Sequence, residues 1–252
     1  MALIQCPECG KMISDKAQFC VGCGYPVYLM FEESSEEGYY ENDENNITQE
    51  EFEKLKQKAE NGDVDAQWEL TNYYWDDGDQ KMLQEAIKWL KLAANNGHSE
   101  AQYILACLYS NGEVIKKDQK EAFKWFKLSA EQGNSNAQYS LGLFYSNGLV
   151  VNKDHNLAFN WYMKAANANH IDALYAVGDC YFSGYGVLQS YVQAFIFWQK
   201  SAKLGNPDAM FRVGDCYHFG WGVTEDISYA IELYTMAAEN GCKDAQEALD
   251  EL

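Results

Sequence analysis

Four cysteines open the chain in two tight pairs, Cys6-x2-Cys9 and Cys20-x2-Cys23, within CPECGKMISDKAQFCVGCG. Thiolates at this spacing form two knuckles, and four of them arranged tetrahedrally suit Zn2+ and leave no open coordination position. Such a site is structural and not catalytic. Gly10 and Gly24 directly follow the second cysteine of each pair, where a sharp turn lets backbone N–H groups point at the sulfurs. A pair of disulfides is the alternative use of these residues, and it belongs to an oxidising compartment. The sequence opens with no basic and then apolar leader pattern, and its apolar run 27–31 is far short of a membrane span. The expectation is therefore a cytoplasmic chain with reduced cysteines and one bound zinc. A module this small has no adequate core, so metal binding, worth roughly 10–16 kcal/mol in comparable peptides, has to supply its stability.

Residues 4–26, with CPxCG, the Ala17-Gln18-Phe19-Cys20 step and CxxCG, resemble the short bacterial zinc ribbons. Ribbons often touch nucleic acid, but here Lys11 and Lys16 are balanced by Glu8 and Asp15. The acidic stretch 31–51 then carries nine carboxylates and no cation, and the whole chain holds 19 basic against 38 acidic residues, a net charge of −19. Phosphate backbones and anionic lipid are repelled by such a surface. A nucleic-acid or membrane partner is thereby disfavoured, and the ribbon is expected to dock or regulate.

The rest of the chain repeats. Ala66, Ala101, Ala137, Ala173 and Ala209 each follow an acidic or amide residue and precede an aromatic or apolar stretch, at intervals of 35, 36, 36 and 36 residues. Each unit predicts a first helix such as AQYSLGLFYSNG that stops at glycine, a loop, and a second helix opened by Asp118, Asp154, Ser190 or Asp226 as N-cap. In the first unit the second helix is expected to start near Asp79. Second helices close on a small pair (Ala93-Ala94, Ser129-Ala130, Ala165-Ala166, Ser201-Ala202, Ala237-Ala238) and stop at Gly97, Gly133, Gly205 or Gly241, with Asn169 as the one non-glycine stop. Asparagine tolerates the left-handed cap next best after glycine.

These units resemble Sel-1-like repeats, relatives of tetratricopeptide repeats. The resemblance rests on Ala137-Gln138-Tyr139 through Tyr145, on the Gly184-Tyr185-Gly186-Val187 and Gly220-Trp221-Gly222-Val223 loops, and on the closing small pair plus glycine. It implies a mostly α fold, a right-handed α-solenoid of helix–turn–helix units with a small N-terminal zinc ribbon. The domains expected are a ribbon over 1–27, an acidic linker over 28–48, and an array over 49–252 with units starting near 66, 101, 137, 173 and 209 and partial helices at both ends. Rings at fixed repeat positions fill the space between stacked helices, so most of the aromatic residues read as core.

The resemblance also implies that first helices line the concave face. That places Trp75, Asp179, Phe182, Asp215 and His218 on it, an exposed aromatic and acidic set suited to a basic or aromatic peptide segment. Asp215 and His218 lie three apart, a spacing that also allows two metal ligands, with a third still to be found. Arg212, the single arginine, reads as an exposed helix residue. Cys180 and Cys216 share one apolar repeat position and read as core. No nucleophile–base set or phosphate loop is present, so no enzyme activity is expected. The function expected is a protein-binding adaptor or scaffold, with zinc bound by Cys6, Cys9, Cys20 and Cys23. The alternative is an immunity-type inhibitor of a basic toxin, and a third class is a hydrolase of the cysteine-rich Sel-1-like branch, whose paired cysteines these units lack.

Overall fold

The computed structural model describes residues 3–5, 12–14, 47–75 and 80–251. The four paired cysteines, the acidic stretch up to residue 46 and Asp79 lie outside them. Two short strands, β1 (Leu3–Gln5) and β2 (Met12–Ser14), pair antiparallel with Ile4 opposite Ile13. The six residues between them include Cys6 and Cys9. The chain then divides into two compact units, 1–132 and 133–252.

Unit 1 carries α1 (Gln49–Glu60), α2 (Val64–Trp75), α3 (Gln80–Asn95), α4 (Ser99–Asn111) and α5 (Gln119–Glu131), each packed on the next. Thr48 and Glu51 form a reciprocal capping box that starts α1. Ala59, Ala66, Leu70 and Trp89 make a buried cluster with Phe52, Leu55 and Tyr74 against it. An amide ladder ties successive helix pairs together. Gln67 Nε2 donates to the Ala59 carbonyl at 2.9 Å and Gln102 Nε2 to the Ala94 carbonyl at 3.0 Å. Asn96 Nδ2 in turn donates to Gln67 Oε1 and Gln132 Nε2 to Gln102 Oε1. The first-helix glutamine thus adds a second donor to a helix-end carbonyl that already accepts from the Gly62 or Gly97 N–H.

Unit 2 carries α6 (Ser135–Asn147), α7 (His155–Asn167), α8 (Ile171–Ser183), α9 (Tyr191–Lys203), α10 (Pro207–Phe219), α11 (Ile227–Glu239) and α12 (Lys243–Asp250), again each packed on its neighbour. The punctuation read from the sequence is present in atomic detail. Asp154, Ser190 and Asp226 side chains accept from backbone N–H groups of the first turns of α7, α9 and α11, as Asp118 does for α5. Each of these cap residues also donates its own N–H to a tyrosine carbonyl nine residues back, for example Asp154 to Tyr145 at 2.9 Å and Asp226 to Tyr217 at 2.9 Å. Asn169 takes the left-handed conformation, φ +59°, and Asn169 N–H and His170 N–H bond back to the Ala166 and Ala165 carbonyls, the pairing that closes a helix end. The small pairs allow close approach: Ser201 Oγ donates to the Ile171 carbonyl at 2.9 Å, and in unit 1 Ser129 Oγ to the Ser99 carbonyl at 2.7 Å.

Candidate functional site

The site in unit 2 begins with three glycines. Gly142, Gly178 and Gly214 occupy one repeat position on α6, α8 and α10, and a Cβ at any of them would overlap the ring of Tyr162, Trp198 or Tyr234 on the following helix. Without a Cβ there, each ring lies against the first-helix backbone and its polar tip reaches past it. Tyr162 hydrogen-bonds Ser146. Trp198 Nε1 donates to Asp179 Oδ1 at 3.1 Å, and the Tyr234 hydroxyl donates to Asp215 Oδ1 at 3.0 Å. With the phenol proton so directed, the Tyr234 oxygen accepts from His218, 3.3 Å away, which assigns that ring's proton to Nδ1.

Asp179 and Asp215 share one guanidinium. Arg212 Nη1 lies 3.3 Å from Asp215 Oδ2 and also bonds the Tyr175 hydroxyl, with Asp179 close enough to feel its charge. Burial pushes the Asp179 carboxyl up to about 6, against the lowering influence of Arg212 and Trp198. Burial raises Asp215 as well, opposed by the Tyr234 hydrogen bond and Arg212. Two partly desolvated carboxylates and one cation leave a net negative site.

Rings border these carboxylates. Phe182, one turn beyond Asp179 on α8, contacts Trp198 at 5.4 Å, Tyr191 at 5.3 Å and Trp221 at 4.9 Å between centroids. Trp221 stacks on Phe219, and Phe219 on His218. The aromatic run therefore leads from the Asp179 side to the Asp215 side. Phe219 is 54% exposed and Tyr191 42%, so much of this surface faces water. The Gly-x-Gly loops set its height, because Gly222 sits directly on the Tyr191 backbone, where a Cβ would stand 2.5 Å from its carbonyl carbon.

Of the residues expected on an exposed face, Phe182, His218 and Asp179 are half-buried, and Asp215 is buried at 6%. Trp75 is corrected: it is 4% exposed in unit 1 and belongs to the packing there. An indole carries too much apolar area to stay in water when neighbouring helices can cover it. Arg212 is corrected too, since it is half-buried and holds Asp215 and Tyr175. Trp198, Tyr234 and Trp221 escaped the sequence reading; the available signal was a glycine on each first helix followed 20 residues later by a ring with a polar tip. Cys180 and Cys216 are buried, and burial pushes both thiols up to about 12, so neither is a ready thiolate. Among the described residues no three His, Cys, Asp or Glu side chains converge as a metal site. No described helix is long and apolar enough to cross a membrane.

Unit 1 offers a different kind of concavity. A cleft of about 700 Å³ is walled by Lys56, Glu60, Glu85 and Lys88 and floored by Trp89. Its charges are mixed and partly paired, Lys88 with Glu85 at 3.1 Å.

Paired helices, each stacked on its neighbour within its unit, define an α-solenoid repeat protein, and the match to known families is specific. The Sel1 repeat family matches residues 65–98, 99–134, 135–170, 171–206 and 207–242, and the zinc-ribbon domain family matches residues 5–27. The chain belongs to the Sel1 repeat family. Among solved structures it is similar to a protective antigen of uropathogenic Escherichia coli with this repeat fold (31% identity, 81% of this chain, 51% of that one, TM-score 0.60). A Sel1 repeat protein from Oxalobacter formigenes is comparable (29% identity, 81% of this chain, 60% of that one, TM-score 0.63). The chain thus spans between half and three-fifths of the length of these relatives. No curated protein matches it. Sel1 repeats generally mediate protein–protein interactions.

Proposed function

We propose that the chain is a non-enzymatic cytoplasmic adaptor that holds a protein partner on the repeat array over 49–252. The ribbon over 1–27 serves as a second docking module on an acidic linker over 28–48. The observation that carries this reading is the face of unit 2 where the exposed rings of Tyr191 and Phe219 and the half-buried Phe182 adjoin the half-buried Asp179 and the buried Asp215. Such a surface suits recognition and contains no activated nucleophile. Two tethered modules on one complex raise each other's effective concentration.

Cys6, Cys9, Cys20 and Cys23 are the residues that would hold one zinc. Their chemistry fits, since four thiolates complete a tetrahedral shell, and the β1–β2 pairing sets Gln5 opposite Met12 on either side of the stretch bearing Cys6 and Cys9. When bound, the ion cross-links the ribbon and takes no part in catalysis. Metal analysis of purified protein should find one zinc per chain, lost in Cys9→Ser.

Affinity capture from native lysate tests the adaptor reading, with the intact chain beside residues 50–252 checked for helicity. Partners retained by the array place recognition there; no specific partner on either form defeats the reading. A single tight, stoichiometric basic partner would instead favour the inhibitor of a basic toxin.

A further inference from the structure

The aromatic face of unit 2 has a charge it does not balance, and this selects an occupant. Asp179 Oδ1 accepts from Trp198. Its other oxygen, Oδ2, accepts no hydrogen bond among the described residues. The one guanidinium in reach, Arg212, bonds Asp215 and Tyr175 and acts on Asp179 through its charge alone. Asp208 adds further negative potential. Phe182 stands one helical turn from this carboxylate, with Trp221 against its ring at 4.9 Å and the exposed Phe219 beyond.

We propose that this face binds an arginine side chain of a protein partner, its guanidinium paired with Asp179 Oδ2 and laid on the Phe182 ring, with an adjacent apolar or aromatic residue of the same segment on Trp221 and Phe219. The inference rests on the adaptor reading and adds the chemistry of the partner. A planar, weakly hydrated guanidinium satisfies a carboxylate and an aromatic face together, which the compact, strongly hydrated ammonium of lysine does less well. Nucleic-acid bases also stack on exposed rings, but their phosphates are repelled by Asp179, Asp208 and Asp215 and by a chain of net charge −19. That same charge steers a cationic segment inward. Burial raises the Asp179 pKa to about 6 even with Arg212 lowering it, and pairing with a second guanidinium would return the carboxyl towards the ionised form.

The test uses the full chain and two labelled peptides, acetyl-Gly-Phe-Arg-Phe-Gly-amide and its counterpart with glutamine for arginine, read by fluorescence anisotropy. The arginine peptide should bind about tenfold more tightly, with the difference shrinking as salt rises. Asp179→Asn, which keeps shape and can still accept from Trp198, should abolish that preference. Phe182→Ala should weaken the arginine peptide severalfold while thermal unfolding shows the fold intact. Equal binding of the two peptides, a preference that survives Asp179→Asn, or no binding of either overturns the proposal. If lysate capture persists in Asp179→Asn and Phe182→Ala, adaptor function stands and only this inference falls; if capture fails while the peptides discriminate, the reverse holds.

Discussion

Unit 1 and unit 2 share one repeat and one set of caps, yet they fill the position between first and second helix differently. In unit 1 that position is Thr71 and Ala106, matched in the repeat register by Leu90 and Phe126, and Thr71 Oγ1 turns back to the Gln67 carbonyl of its own helix. In unit 2 it is Gly142, Gly178 and Gly214, matched by Tyr162, Trp198 and Tyr234. The polar groups of unit 1 go into the Gln67–Asn96 and Gln102–Gln132 amide ladder, which is internal. Those of unit 2 hold carboxylates in place at the edge of an exposed aromatic face. One half spends its polarity on cohesion between pairs and the other on positioning charge, which is why we propose the partner surface on unit 2.

Filling a socket should break this contrast most sharply. Gly178→Ala forces the Trp198 indole away, and overpacking of this kind costs up to about 3 kcal/mol. The reverse change in unit 1, Ala106→Gly, should cost about 1 kcal/mol from helix propensity. Chemical denaturation of both variants measures the difference, and equal costs would mean the sockets are not tight.

Asp179 supplies the next largest effect. Its pKa rises from 3.8 to about 6 on folding, so between those values the native state holds more protons than the unfolded chain and stability falls as pH rises. The loss above that window is on the order of 2 kcal/mol. Asp179→Asn should therefore exceed the parent in stability near about pH 7.5 by that order, and the gap should close below about pH 4. A gap that does not change with pH would show that the carboxylate is already neutralised by Arg212.

Unit 1 is sharpened by Gln102→Leu, which imports the residue type of Leu174, its counterpart in the repeat register. The Ala94 carbonyl keeps only its bond from the Gly97 N–H, and the Gln132 amide loses its partner, so thermal unfolding should register a loss of about 1 kcal/mol. The smallest effect is a gain. Val150 sits at φ +67° where the later repeats have Gly186 and Gly222, a conformation that β-branched residues resist. Val150→Gly should stabilise by about 1 kcal/mol, net of the added freedom of the unfolded chain.

The helix boundaries were legible because they depend on neighbours in sequence. Asp154 caps α7 through the N–H of Leu157, three residues on, and the Asn169 turn closes on Ala165 and Ala166. The repeat period then supplied the pairing of helices. The site was legible only in part: Asp179, Asp215, Phe182 and His218 share registers on first helices, but their partners come from second helices. Trp198 is 19 residues from Asp179, and Tyr234 is 19 from Asp215. Arg212 looked solvent-facing because only the fold brings Tyr175, on a different helix, to its guanidinium. Trp75 misled for the opposite reason, since register alone placed it on a face that packing closed.

The bond from each cap N–H to a tyrosine carbonyl nine residues earlier also bears on how the array assembles in time. Tyr145 with Asp154, Tyr181 with Ser190 and Tyr217 with Asp226 each close a loop within one helix pair, and loops of that length meet in about 10–100 ns. Within a unit, each helix next needs only its immediate neighbour. Such a low-contact-order chain can begin folding at any pair and extend from it. A strayed end such as α12 can return to its place on α11 without the rest of unit 2 coming apart.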